Sequence, residues 1–172
     1  DSEIEGIVVD TSIYTKQENP KLEKTIFFGD DDYYNIFLAL VEKSGEFDIN
    51  LLMGHYFFLG NEKIFDKHFA NVIDEEEYVE TIKDSKYLLT ASLQTALESL
   101  ACGNKPVLFK REDKIYDEKL IEKLNLPVIE ANDLKDLLEK FDTSINEYPI
   151  ISNFNIISLE NIKEEINEKI DL

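Results

Sequence analysis

The sequence predicts a doubly wound α/β domain, a mostly parallel sheet with helices on both faces. Short apolar runs of strand length alternate along the chain with longer segments of helical period. Such alternation implies right-handed crossovers and a sheet covered on both sides. The 172 residues, 43% of them hydrophobic, suffice for one domain with a substantial core.

Taken in order, Gly6 to Val9 reads as a first short strand. Asp10 to Lys24 is polar, contains Pro20, and reads as a linker. The repeating unit then begins. Strands are expected over Thr25 to Phe28, Ile49 to Met53, Asn71 to Ile73, Tyr87 to Thr90, Pro106 to Phe109 and Pro127 to Ile129. Helices are expected over Tyr33 to Lys43, Glu62 to His68, Glu75 to Lys83, Leu93 to Cys102, Asp117 to Leu124 and Leu134 to Phe141. Asn146 to Asn155 is irregular, and Leu159 to Ile170 forms an acidic final helix with Ile162, Ile166 and Ile170 on one stripe. The expected organisation is an N-terminal strand and linker (1–24), an α/β domain (25–145), and a C-terminal crossover and helix (146–172).

A formal charge of −19 argues against nucleic acid and anionic membrane as partners, because both need a basic face. The apolar runs are too short to span a bilayer. The single cysteine, Cys102, has no partner for a disulfide and fits a reducing cytoplasm. It lies beside Gly103 on the apolar side of a helix end, where packing is its expected role.

The most informative stretch is Tyr87 to Phe109, Y-L-L-T-A-S-L-Q-T-A-L-E-S-L-A-C-G-N-K-P-V-L-F. A strand runs into a Thr/Ser turn, then a small-residue helix carrying Glu98, stopped by Gly103. The start of that helix offers backbone N–H groups and the hydroxyls of Ser92 and Thr95, a setting that holds phosphate. Glu98, about one turn further on, is placed to meet a sugar hydroxyl. Doubly wound sheets bind ligands at the strand carboxyl ends where strand order reverses. With order 3-2-1-4-5-6 counted from Thr25 to Phe28, that crevice falls between Gly29 to Tyr34 and Ala91 to Thr95.

The segment T-A-S-L-Q-T-A-L-E-S-L-A-C-G-N-K-P-V-L resembles the Rossmann-like C-terminal half of GT-B-type nucleotide-sugar enzymes. The likeness is greatest to the UDP-sugar hydrolase of the pseudaminic acid pathway, with related glycosyltransferases and UDP-GlcNAc 2-epimerases. F-F-G-D-D-D-Y-Y-N and E-E-E-Y-V-E-T-I-K-D-S-K-Y-L-L extend the resemblance over about Thr25 to Ile129. It implies a UDP-sugar site in which Gly29 and Asp30 face the cleft, Ser92 and Thr95 hold the diphosphate, and Glu98 accepts ribose hydroxyls. Val72 to Asp74 would border the base. It also implies that the catalytic base comes from a second domain or partner chain, since GT-B enzymes work between two such domains. The start at Asp1 favours a fragment. The biological setting implied is bacterial surface-glycan or nonulosonic acid synthesis.

Two departures from the family bear on the chemistry. The turn Thr90-Ala91-Ser92-Leu93 has no glycine, and Gly29 is followed by Asp30, Asp31 and Asp32. At about 4 Å and an effective dielectric near 20, each like-charge contact with a diphosphate costs on the order of 4 kcal/mol. Either these carboxylates point away as helix caps, or Mg²⁺ bridges them, or the site has lost its nucleotide. The last case defines the alternative function, a non-catalytic assembly or regulatory module.

Several side chains keep two readings. Glu98 either meets ribose or pairs with Lys105 or Arg111. Arg111, the sole arginine, either grips a phosphate or belongs to the surface cluster Lys110-Arg111-Glu112-Asp113. His55 borders the cleft, where it contacts sugar or phosphate or serves catalysis, or it is a bystander, and His68 is a surface or capping residue. Tyr33, Tyr34, Tyr56 and Phe57 form an aromatic fringe that stacks on a base or packs beneath loops.

Overall fold

The computed structural model describes residues 8–56 and 61–170. Residues 6–7 of the first expected strand, and Phe57, lie outside that range.

The sheet contains β1 (Leu22–Phe27), β2 (Phe47–Leu52), β3 (Phe69–Ile73), β4 (Ser85–Thr90), β5 (Lys105–Phe109) and β6 (Val128–Ile129). The helices are α1 (Ile36–Glu42), α2 (Glu62–Phe65), α3 (Tyr78–Asp84), α4 (Leu93–Ala101), α5 (Glu118–Leu124), α6 (Leu134–Asn146) and α7 (Leu159–Ile170). All strand pairs are parallel, in the order β3-β2-β1-β4-β5-β6. The doubly wound α/β fold and the expected strand order are therefore present, and the order reverses between β1 and β4.

Alternating residues of the central strands feed two cores, one on each face. Ile26, Leu51, Leu89 and Val107 pack with Phe37 and Val41 of α1 and Leu137 and Phe141 of α6. Phe27, Leu52, Leu88 and Leu108 pack with Ile82 of α3, Ala96 and Leu97 of α4, and Ile121 of α5. Phe37 anchors the first core by stacking on Phe28 at 4.9 Å and on Phe65 at 5.8 Å. Cys102 is fully buried in the second core, as its position predicted, and burial pushes its thiol up to about 11.

Several element boundaries differ from those expected. α1 starts at Ile36 rather than Tyr33, because Asn35 sits in the left-handed region at φ 53° and breaks the helical path. The segment over Glu62 to His68 supplies only one turn, and Glu75–Glu77 forms a 3-10 turn ahead of α3. α6 runs five residues past Phe141, to Asn146. α4 ends at Ala101, one residue short of the expected Cys102, which caps it, and Gly103 follows at φ 77°.

Both flanking segments pack on the sheet's second face. Val9 forms a parallel bridge with Ser158, donating its N–H to the Ile157 carbonyl at 2.9 Å and accepting from the Leu159 N–H at 2.9 Å. The polar stretch after it lies along α4, where the Gln94 amide reaches Val8 O at 3.2 Å and Gln17 N–H reaches Cys102 O at 2.9 Å. α7 spans the expected residues and buries Ile162, leaving Ile166 and Ile170 exposed.

Candidate functional site

Where the strand order reverses, the loops after β1, β4 and β5 enclose a cleft of about 280 Å³. Phe28 to Asp31 form one wall, Ala91 to Gln94 another, and Arg111 with Lys114 to Tyr116 the third. The strand ends are level here, with Phe27 opposite Thr90 and Thr90 opposite Leu108. The sequence thus located this crevice through its turn chemistry and its topology together.

The turn after β4 holds its shape without glycine because side chains support it. Thr90 Oγ1 accepts the Ser92 N–H at 3.1 Å. Ser92 caps α4, its Oγ accepting the Thr95 N–H at 3.2 Å and the Thr95 hydroxyl at 3.0 Å. Leu93 and Gln94, the next residues of the first turn, line the cleft, and a helix leaves their amides without a helical partner. Thr95 itself is buried and bonds to the Tyr78 hydroxyl at 2.7 Å.

Glu98 is buried and belongs to a network the sequence did not disclose. Its Oε2 accepts the Tyr78 hydroxyl at 2.5 Å, and its Oε1 accepts the Gln94 amide at 3.1 Å. The Tyr14 hydroxyl lies close to this carboxylate and favours its charged form. Burial raises the Glu98 pKa, and these bonds only partly oppose the rise. Neither Lys105 nor Arg111 pairs with Glu98: Lys105 lies near the Tyr87 and Tyr148 rings, and Arg111 is engaged elsewhere. That pairing was suggested by nearness in sequence, whereas the actual tyrosine partners arrive from α3 and from the segment before β1.

The three aspartates separate. Asp32 is buried and caps α1, accepting the N–H groups of Ile36 at 2.7 Å, Phe37 at 3.3 Å and Leu38 at 3.0 Å. Asp31 pairs with Lys114 at 2.9 Å and with Arg111 at 3.3 Å. Asp30 is exposed, and its carbonyl takes the Tyr56 N–H at 2.6 Å. Among the described residues no group of three His, Cys, Asp or Glu could hold a metal ion, and the Asp31 and Asp32 carboxylates turn to different partners.

Arg111 is interior rather than part of a surface cluster. Its Nε and Nη2 donate to Asp113 at 2.8 and 2.6 Å, and its Nη1 donates to the Asp31 carbonyl at 2.6 Å. Its guanidinium lies 4.4 Å from the Phe28 ring centroid. Burial is the largest single influence and works against its charge, but Asp113, Asp31 and Asp32 together outweigh it and raise the Arg111 pKa, while the Arg111 bond lowers that of Asp113. Lys110 turns outward to Glu118 at 2.6 Å.

Two residues that set the loops around the cleft escaped the sequence reading. Tyr116 ties the β5 loop to the β4 loop by donating its hydroxyl to Ala91 O at 2.6 Å while accepting the Arg111 N–H at 3.0 Å. Gly54 lies against the β1 loop, where a Cβ would stand 2.0 Å from Gly29 O and 2.7 Å from Asp30 O. Gly29 itself adopts φ 141°, a conformation that L side chains rarely take. A glycine directly after an apolar strand was the only signal of the Gly54 approach.

His55 lines a separate hollow of about 510 Å³, together with Gly54, Glu62, Asp66, Val72, Asp74 and Glu75. Its Nδ1 is 4.0 Å from Glu75 Oε1, and its side chain is 66% exposed. Val72 and Asp74, expected to border a base, line this hollow rather than the first cleft. His68 bonds through Nδ1 to Gly45 O at 2.8 Å. Tyr33, Tyr34 and Tyr56 are exposed at the same end of the sheet.

The doubly wound α/β fold is shared with a domain of known structure. The chain superimposes on the crystal structure of the C-terminal domain of a glycosyl transferase group 1 family protein, LpcC, from Francisella tularensis, with a TM-score of 0.52 and 14% identity. The match covers 80% of this chain and 88% of that one. No family model matches the chain, and no curated protein matches it in sequence. No helix among the described residues is long and apolar enough to cross a membrane.

Proposed function

We propose that the chain is the nucleotide-sugar-binding half of a GT-B-type enzyme, with a UDP-sugar as its ligand. The observation that carries this reading is the cleft at the reversal of strand order, opening onto the first turn of α4. The unpaired amides of that turn and the Ser92 hydroxyl would receive the diphosphate, favoured by the positive end of the helix dipole. Ribose hydroxyls would reach Glu98 by taking the place of the Gln94 amide, which lies at 3.1 Å against 2.5 Å for the Tyr78 hydroxyl. Gly29 would let the β1 loop approach the ligand closely, and His55 would lie toward the sugar or base. The base for catalysis would come from a second domain or a partner chain, completing either glycosyl transfer or hydrolysis of the UDP-sugar, as in surface-glycan or nonulosonic acid synthesis. The likeness to a glycosyl transferase domain supports the wider class, and the choice between transfer and hydrolysis rests on the sequence resemblance alone.

Calorimetric titration of the chain with UDP, with and without Mg²⁺, tests the reading. Saturable binding that weakens in Glu98→Ala is the expected result, and no heat at millimolar UDP would reject it. A second reading is a non-catalytic α/β module with a degenerate site. It is favoured by the engagement of Glu98 with Tyr78 and of the Arg111 fork with Asp113. Loss of UDP binding in Glu98→Ala would rule that reading out.

A further inference from the structure

Among the described residues the cleft is lined by two cations, Arg111 and Lys114, and of these Lys114 is the one open to a ligand. Arg111 is locked: its side chain is 1% exposed and four of its five N–H donors are directed at Asp113 and Asp31. Lys114 differs in every respect. Its side chain is 41% exposed, and its ammonium meets Asp31 Oδ2 at 2.9 Å, leaving two of three donors unused by that contact. A lysine ammonium is a compact point charge on a flexible stem, able to swing between acceptors. Asp31 behaves as the fixed member of the pair, since its side chain is only 16% exposed and also receives Arg111 Nη2.

We propose that Lys114 is the cation that contacts the ligand's diphosphate, and that Asp31 is its resident counter-anion, which must yield Lys114 when an anion enters. The inference rests on the reading of the cleft as a nucleotide-sugar site and deepens it by naming a specificity-determining pair. A half-exposed ion pair is worth little in water, so its exchange for a doubly charged phosphate group is not prohibitive. Asp31 cannot leave with Lys114, because Arg111 retains it. Its charge therefore stays at the cleft wall and disfavours anions that do not engage Lys114. The β5 loop thus supplies positive charge opposite the β1 loop, which carries only carboxylates between Gly29 and Tyr33.

The test is titration of the full chain with UDP and, separately, with inorganic pyrophosphate, for the wild type, Lys114→Gln and Asp31→Asn. Asparagine keeps an acceptor for Arg111, and Lys114 is on the surface, so matched melting curves verify that both variants fold. Lys114→Gln is expected to weaken both ligands by about tenfold or more, and Asp31→Asn to strengthen them by about the same factor. If UDP binds the wild type and neither substitution changes its affinity, the pair has no role in binding while the nucleotide reading stands. If pyrophosphate responds as expected but UDP binds no better than pyrophosphate, the pair stands and the nucleoside reading fails. Absence of binding by either ligand to all three proteins overturns both.

Discussion

Arg111 grips Asp113 with two donors of its guanidinium, at 2.8 and 2.6 Å, while a third holds the Asp31 carbonyl at 2.6 Å. A single side chain thereby fixes the loop after β5 against the loop after β1, with Phe28 beneath it. The planar fork suits carboxylate as well as phosphate, and here the carboxylate two residues away takes it.

Replacing Asp113 by Asn is expected to destabilise the fold by on the order of 3 kcal/mol at neutral pH, because a buried guanidinium loses its charged partner. Asp113 has its pKa lowered in the folded state, first by the Arg111 bond. Its contribution is therefore full above the ordinary aspartate value and is lost as pH falls through the folded one. Urea unfolding at pH 7 and near pH 3 checks this: the gap between wild type and variant should shrink in acid. A gap independent of pH would show that the ion pair is not its source.

Gly54→Ala should lower stability by about 1–3 kcal/mol, since the new methyl would meet the Gly29 and Asp30 backbone rather than a movable side chain. For a chain of this size that corresponds to a melting point lower by roughly 2–12 °C. Gly45→Ala provides the contrast, because a Cβ there meets nothing within 4 Å. Differential scanning calorimetry of the two variants should separate them clearly, and equal melting points would refute the close approach.

Glu98→Gln isolates the cost of the buried charge. The folded pKa of Glu98 is raised, chiefly by burial, so the native state binds its proton more tightly than the unfolded chain does. Stability then falls as pH climbs from the unfolded value through the folded one, and Glu98 remains a net burden above it. The glutamine variant lacks this loss and keeps acceptor and donor groups for Tyr78 and Gln94. Its melting point should gain on the wild type from mildly acid to neutral pH, and parallel curves would contradict the raised pKa.

Cys102 should resist thiol reagents in the native protein at pH 8. It is fully buried, and its thiol is pushed up to about 11, so little thiolate forms and none is accessible. Labelling with a chromogenic disulfide is expected to be complete in denaturant and slower by orders of magnitude without it. Rapid native labelling would place the thiol at the surface instead.

Much of the architecture was legible because its signals are local and repeated. Alternating apolar strands and amphipathic helices prescribe a covered parallel sheet, and Gly103 marks the end of α4 by a conformation few other residues accept. The capping residue Ser92 could likewise be read from the chain, since its bond to Thr95 spans one helical turn. The cleft was legible as a place once the common strand order was assumed, and the sheet has that order.

The partners of the cleft's charged groups were not legible, because they depend on contacts between residues distant in the chain. Tyr14 and Tyr78 reach Glu98 only when the segment before β1 and α3 pack beside α4. Asp30, Asp31 and Asp32 look equivalent as a run, yet backbone direction sends Asp32 into α1, Asp31 to Lys114, and leaves Asp30 exposed. The stretch from Tyr87 to Phe109 by itself determined a strand, a capped helix and the place of the cleft. Tertiary structure alone decided which charges face that cleft, because hydrogen bonds and ion pairs select partners by position in space rather than by nearness along the chain.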